Sequence, residues 1–221
     1  MSKFEKEANQ IVDTLGLKWA PMGARFSVEN EEIGDSSKKL GVCDAFDVVR
    51  RDDVVVCLSK ENCVCPGGRH FTGLESIPLE SLAAAVSGKG HKVFASKKAA
   101  LTSMRKQPQS VKRGNFLCLG PLRKFKAPPD MVFLFVNPAQ ADRILGLASF
   151  KGAEPFTYYP ASSICSTITN VLAKGRPEIN LISFFERKRG AWSADELIVA
   201  LPFKDFETAV KNIPNSGYGA A

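Results

Sequence analysis

The sequence predicts an α/β fold, a mixed sheet with helices on its faces, and three observations carry that prediction. Two apolar runs, residues 54–58 and 131–136, lack polar alternation, the pattern of strands covered on both sides. Amphipathic stretches with three- and four-residue spacing recur along the chain, led by Phe4, Ala8, Ile11, Val12 and Leu15. The 221 residues are 44% hydrophobic and 24% charged, an ordinary globular balance that supports a sizeable core. Residues 1–214 are read as one domain and residues 215–221 as a loose tail.

The elements follow in order. Residues 2–15 form a helix stopped at Gly16, and residues 19–28 form a strand in which Ala24, Phe26 and Val28 alternate with Arg25 and Ser27. A polar loop, 29–39, precedes a short helix at 43–51 and the buried strand 54–58. The segment Cys63-Val64-Cys65-Pro66-Gly67-Gly68-Arg69 reads as a loop. Helices are expected over 79–86 and 96–106, and a short strand over 116–119. After the strand 131–136, Asn137 caps a helix over 139–148, with Pro138 suited to its first turn. Strands are then predicted at 156–159, 179–184 and 196–201, with helices at 162–172 and 206–213.

A faint repeat runs through this order. Cys43 opens a helix followed by Arg50-Arg51, an apolar strand and a polar loop. Cys165 sits in a helix followed by Lys174-Gly175-Arg176, an apolar strand and a polar loop. That parallel points to an internal pseudo-duplication of βαβ-like halves.

Charge is uneven. The chain carries a formal +7, yet no acidic residue occurs between Glu80 and Asp130, where eleven Lys and Arg residues fall between Lys89 and Lys126. The remainder is net acidic, so one cationic face is expected rather than general basicity. Nucleic acid is a weak candidate for that face. Only Phe94, Phe116 and Phe125 supply stacking groups there, and no nucleic-acid-binding motif is present. No apolar run approaches the roughly 20 residues of a membrane span, and the charged start, Met1 to Glu7, lacks a signal region. A cytoplasmic protein without membrane partners is expected, and a homodimer is the expected assembly.

Chemistry concentrates on cysteine. Six cysteines in a chain of this length suit a reducing compartment better than a disulfide scaffold. Cys57 and Cys118 lie inside apolar strands and read as free core residues. Cys63 and Cys65, with Cys43 and Cys165 completing the set through the fold, form a candidate thiolate site for zinc or an iron–sulfur cluster. Two alternatives stand beside it: a reactive thiol whose anion is favoured by Arg69 and the Gly67-Gly68 amides, and plain burial. The same Gly67, Gly68 and Arg69 offer an anion site for a small ligand. His70 reads as a surface histidine, and neither it nor His91 sits in a zinc-protease spacing. No nucleophile elbow, Walker loop or dinucleotide fingerprint occurs. No general base for a thiol enzyme is apparent.

The order of Cys43, Cys63, Gly67-Gly68, Thr72-Gly73-Leu74, Gly120-Pro121-Leu122, Pro129-Asp130, Asn137-Pro138-Ala139-Gln140 and Cys165 resembles the prokaryotic ArCR family, a domain family of unknown function. The resemblance runs from about Trp19 to about Pro202 and lies in the order of its motifs. It maps the family's cysteines onto Cys43, Cys63 and Cys165 and implies no settled activity. The family pattern also tends to a cysteine shortly before an arginine near the chain's end. Here Phe184-Phe185-Glu186-Arg187 stands instead, which weakens a four-thiolate cluster in this chain.

Overall fold

The computed structural model describes residues 2–29, 34–88, 93–108, 112–152, 163–188, 190 and 192–220. Its centre is a six-stranded sheet in the order β2-β3-β1-β4-β6-β5. The strands are β1 (Met22–Ser27), β2 (Val56–Leu58), β3 (Phe116–Pro121), β4 (Met131–Val136), β5 (Glu178–Asn180) and β6 (Leu197–Pro202). The helices are α1 (Lys3–Leu15), α2 (Val42–Asp52), α3 (Pro66–Thr72), α4 (Leu79–Ser87), α5 (Lys97–Arg105), α6 (Pro138–Ala148), α7 (Ile164–Lys174), the single turn α8 (Phe184–Arg187) and α9 (Phe203–Asn212).

The expected α/β class holds, and so does the pairing of halves. β3 lies antiparallel to both β1 and β2, so β1–α2–β2 is a βαβ unit with a third strand inserted between its parallel strands. β6 takes the same place between β4 and β5, with α7 in the crossover. The inner pairs are six residues long in both halves, and the outer pairs three. β1 and β4 join the halves through Met22↔Phe133 and Ala24↔Met131. Neighbouring strands are therefore antiparallel, and among the described residues parallel pairing is confined to the isolated bridges Asp35↔Val56 and Leu40↔Cys63.

β4 shows why its sequence lacks alternation. Successive side chains point to opposite faces, so Met131, Phe133 and Phe135 join the core under α2, α3, α4, α5 and α7. Val132, Leu134 and Val136 join the second core, under α1, α6 and α9. Both faces are covered, and both rows must be apolar. Capping residues fix the helix starts: Ser2 and Glu5 form a capping box on α1, and Asn137 and Gln140 form one on α6. Gly16 ends α1 in the left-handed region, which suits glycine.

Four expectations are corrected. Residues 66–72 are helical, with Cys65 as N-cap and Pro66 in the first turn, so Gly67, Gly68 and Arg69 lie in a helix and not an open loop. The predicted strand 179–184 stops at Asn180, because Ile182 adopts a left-handed φ of 55° and α8 begins at Phe184. Cys57 and Cys118 are fully buried, as expected, but they are joined in a disulfide. They face each other across the β2–β3 register, so strand pairing brings together two sulfurs that are 61 residues apart in sequence. His70 is buried and not on the surface; its Nδ1 accepts the Ile77 N–H at 3.3 Å. The predicted strand 156–159 and His91 lie outside the described residues. No helix among the described residues is long and apolar enough to cross a membrane.

Candidate thiol site

The two halves place a cysteine at the same step. Cys43 is the second residue of α2 and Cys165 the second residue of α7. The free amides of a first helical turn carry partial positive charge and favour a thiolate. Burial outweighs them here. The Cys165 thiol is pushed up to about 12, chiefly by burial, although its contact with Ser163 Oγ at 3.0 Å works the other way. Cys43 is held well above the usual thiol range, first by burial and then by the Glu186 carboxylate.

Glu186 is the residue the sequence reading missed. Its Oε1 accepts the Cys43 thiol at 3.3 Å and the Ile164 N–H at 2.8 Å, while its Oε2 accepts the Ser183 N–H at 2.8 Å. The carboxylate thus closes the capping box of α8, caps the start of α7 and touches the sulfur at the start of α2. Ser183-x-x-Glu186 is a legible capping-box signature. Its approach to a residue 143 positions away is not.

Cys65 enters from α3, where its sulfur accepts the Gly68 N–H at 3.3 Å. Gly68 is needed for this packing. A Cβ there would stand 2.8 Å from Val42 Cγ2 and 3.4 Å from the Cys63 sulfur. Ionisation of Cys43 is disfavoured by the charges of both Cys165 and Cys65, after the larger effects of burial and Glu186, and Cys165 likewise feels Cys65 and Glu186. Sulfurs from residues 43, 65 and 165 therefore share one neighbourhood with a carboxylate. Cys63 differs: it is sealed, and its sulfur lies 3.8 Å from the Cys65 carbonyl oxygen. Burial again raises its pKa. Among the described residues, no group of three or more His, Cys, Asp or Glu side chains is placed to hold a metal ion.

A pocket of about 120 Å³ opens beside Cys43, lined also by Asp44, Asp47, Arg51, Glu186 and Trp192. Its far wall is held by two arginines. Arg187 donates to the carbonyls of Leu181, Ile182, Ser193 and Glu196, which ties down the segment from β5 to β6. Arg50 is buried, pairs with Glu196 at 2.8 Å and Asp47 at 3.2 Å, and lies against the rings of Trp192, Trp19 and Phe135 at 4.0, 4.8 and 5.4 Å.

Two of the three candidate anion-site residues already have partners. Arg69 pairs with Glu75 at 2.6 Å and donates to the Cys63 carbonyl at 3.0 Å, and the Gly68 amide faces the Cys65 sulfur. Part of the basic interval is likewise tied to acids: Arg105 to Glu80, and Arg123 and Lys124 to Asp53.

A family model described as "Uncharacterised ArCR" matches residues 10–212. No curated protein and no solved structure matches the chain.

Proposed function

Because this chain belongs to the uncharacterised ArCR family, which brings no activity with it, we propose on the geometry alone that the thiols form a site for a metal ion or iron–sulfur group used in redox chemistry or sensing. One observation carries the reading: Cys43, Cys65 and Cys165 each stand at a separate helix start, Glu186 touches the Cys43 sulfur, and the charges of Cys65 and Glu186 act on both Cys43 and Cys165. Cys63 completes the proposed set of four.

The electrostatics favour a cation. Burial and mutual repulsion keep the Cys43 and Cys165 thiols protonated, which makes them poor nucleophiles, since the thiolate is the reactive form. A bound cation reverses that balance, because a coordinated thiol loses its proton outright. The anion-binding alternative has less support, since Arg69 and the Gly68 amide are engaged already. A reducing, cytoplasmic setting belongs to the same proposal, as the four thiols must stay reduced to take up metal, and the Cys57–Cys118 disulfide persists there only because it is fully buried away from reductants.

Anaerobic purification followed by analysis for iron, zinc and acid-labile sulfide tests the reading. Stoichiometric metal is expected in the native chain, with loss in Cys43→Ser and Cys165→Ser variants that keep their circular dichroism. A native chain with four reduced thiols that neither carries metal nor takes up Zn²⁺, Fe²⁺ or Co²⁺ rules it out.

A further inference from the structure

We propose that α8 is a latch over Cys43, with Ile182 as its strained hinge and Arg187 as its fastening. The inference goes beyond the metal reading and needs no bound ion, so its failure leaves that reading untouched.

Ile182 carries the observation. It is buried in the core under α2 and α7, yet its φ of 55° lies in the left-handed region. A β-branched residue there is an outlier, and such backbone persists only where its surroundings over-determine it. Both polar groups of its main chain are held. Asn180 Oδ1 accepts the Ile182 N–H at 2.6 Å, and Arg187 Nε donates to the Ile182 carbonyl at 3.1 Å. Asn180 is itself fixed, donating to Thr167 Oγ1 on α7 at 2.8 Å. Arg187 also donates to the carbonyls of Leu181, Ser193 and Glu196, so one guanidinium fastens the chain on both sides of α8.

Only Leu181 and Ile182 separate β5 from the α8 cap Ser183. The turn at Ile182 therefore sets where Glu186 stands, against the Cys43 sulfur and the Ile164 amide. With an ordinary negative φ at this hinge, α8 leaves β5 in another direction and Glu186 loses both partners. Closed, the latch keeps Cys43 at the wall of a pocket of about 120 Å³ that Glu186 also lines. Open, it admits reagents bulkier than that pocket. Hinge strain favours opening, and the bonds of Asn180, Glu186 and Arg187 oppose it.

Labelling the full-length chain, its four free thiols reduced, with fluorescein maleimide tests this. Peptide mass spectrometry reads the rate at Cys43, with buried Cys63 as the internal control. Ile182→Gly and Ile182→Ala lose nearly the same core side chain, but only Ala brings a Cβ into the left-handed region, which Gly enters freely. Cys43 is expected to label about fivefold faster in Ile182→Ala than in Ile182→Gly. Equal rates, or the faster rate in the more flexible Gly variant, overturn the hinge. Arg187→Met is expected to raise Cys43 labelling about tenfold or more over the native chain while Cys63 stays slow. A native rate there overturns the fastening, and Cys63 rising in step with Cys43 shows general unfolding and overturns the latch. Should the Ile182 pair fail to fold, Arg187→Met decides.

Discussion

Replacing Arg50 by Met tests how the wall of the pocket is held. The Arg50 side chain is 0% exposed and Glu196 8%, so this pair is screened by protein rather than by water. A buried ion pair adds little over a well-packed apolar pair, but removing one partner strands the other and costs about 3–5 kcal/mol. Met roughly keeps the stem's volume against Trp192, Trp19 and Phe135, so the loss isolates charge. The ring contacts of a desolvated guanidinium contribute about 2 kcal/mol within that sum. For a chain of 221 residues the expected fall in Tm is about 6–20 °C, taking about 2–4 °C per kcal/mol. Urea unfolding of Arg50→Met, Glu196→Gln and the double variant supplies the assay. The double variant is expected to recover at least about 1 kcal/mol of the single losses, because neither charge is left alone. An Arg50→Met loss below about 1 kcal/mol, the scale of an exposed pair, refutes the reasoning.

Three other outcomes follow from the same structure. Gly68→Ala is expected to cost about 1–3 kcal/mol by forcing α3 off Val42, partly offset by about 1 kcal/mol of better helix propensity, and thermal unfolding reads the sum. Alkylation in denaturant is expected to modify four thiols before reduction and six after it; with the bridged cysteines 61 positions apart, Cys57→Ala/Cys118→Ala should lose about 4 kcal/mol in urea. Burial holds His70 below its ordinary pKa, so the folded state binds its proton less readily than the unfolded one. Its contribution is complete above the unfolded value of about 6.5 and declines as pH falls below it, by at most about 1.4 kcal/mol per pH unit. His70→Gln should flatten that slope in urea titrations between pH 7 and pH 5.

What the sequence made legible was periodicity. The runs at β2 and β4, the cap Asn137, the helix stop Gly16 and the parallel order around Cys43 and Cys165 each express a local rule, and each found its place in the fold. What it concealed was register. Cys57 and Cys118 look like two unrelated core residues until β2 and β3 pair, and only the register makes them neighbours. Glu186 was hidden for the same reason, its partner Cys43 lying on the other half. The glycine pair misled differently. Gly67-Gly68 has the composition of a turn, yet Pro66 starts a helix there, and Gly68 is small because Val42 lies against it.

The repeat between halves also accounts for the asymmetry of the site. Cys43 and Cys165 occupy equivalent steps, but the helices that follow diverge: α3 starts with a cysteine cap, and α8 starts with Ser183 and supplies Glu186. One half thus adds sulfur and the other adds oxygen. Two opposed effects then act on each thiol. Amides at a helix start favour its anion by about 0.3–1 kcal/mol, rising to about 2 in partly buried sites. Moving Cys165 from its usual 9.0 to about 12 opposes that by about 4 kcal/mol, at 1.36 kcal/mol per unit. Burial wins, and Cys165 keeps its proton. Only a positive charge arriving within bonding distance of the sulfurs can invert that order. In this way Cys43 and Cys165 stay inert until the cation that we propose as the site's ligand displaces their protons.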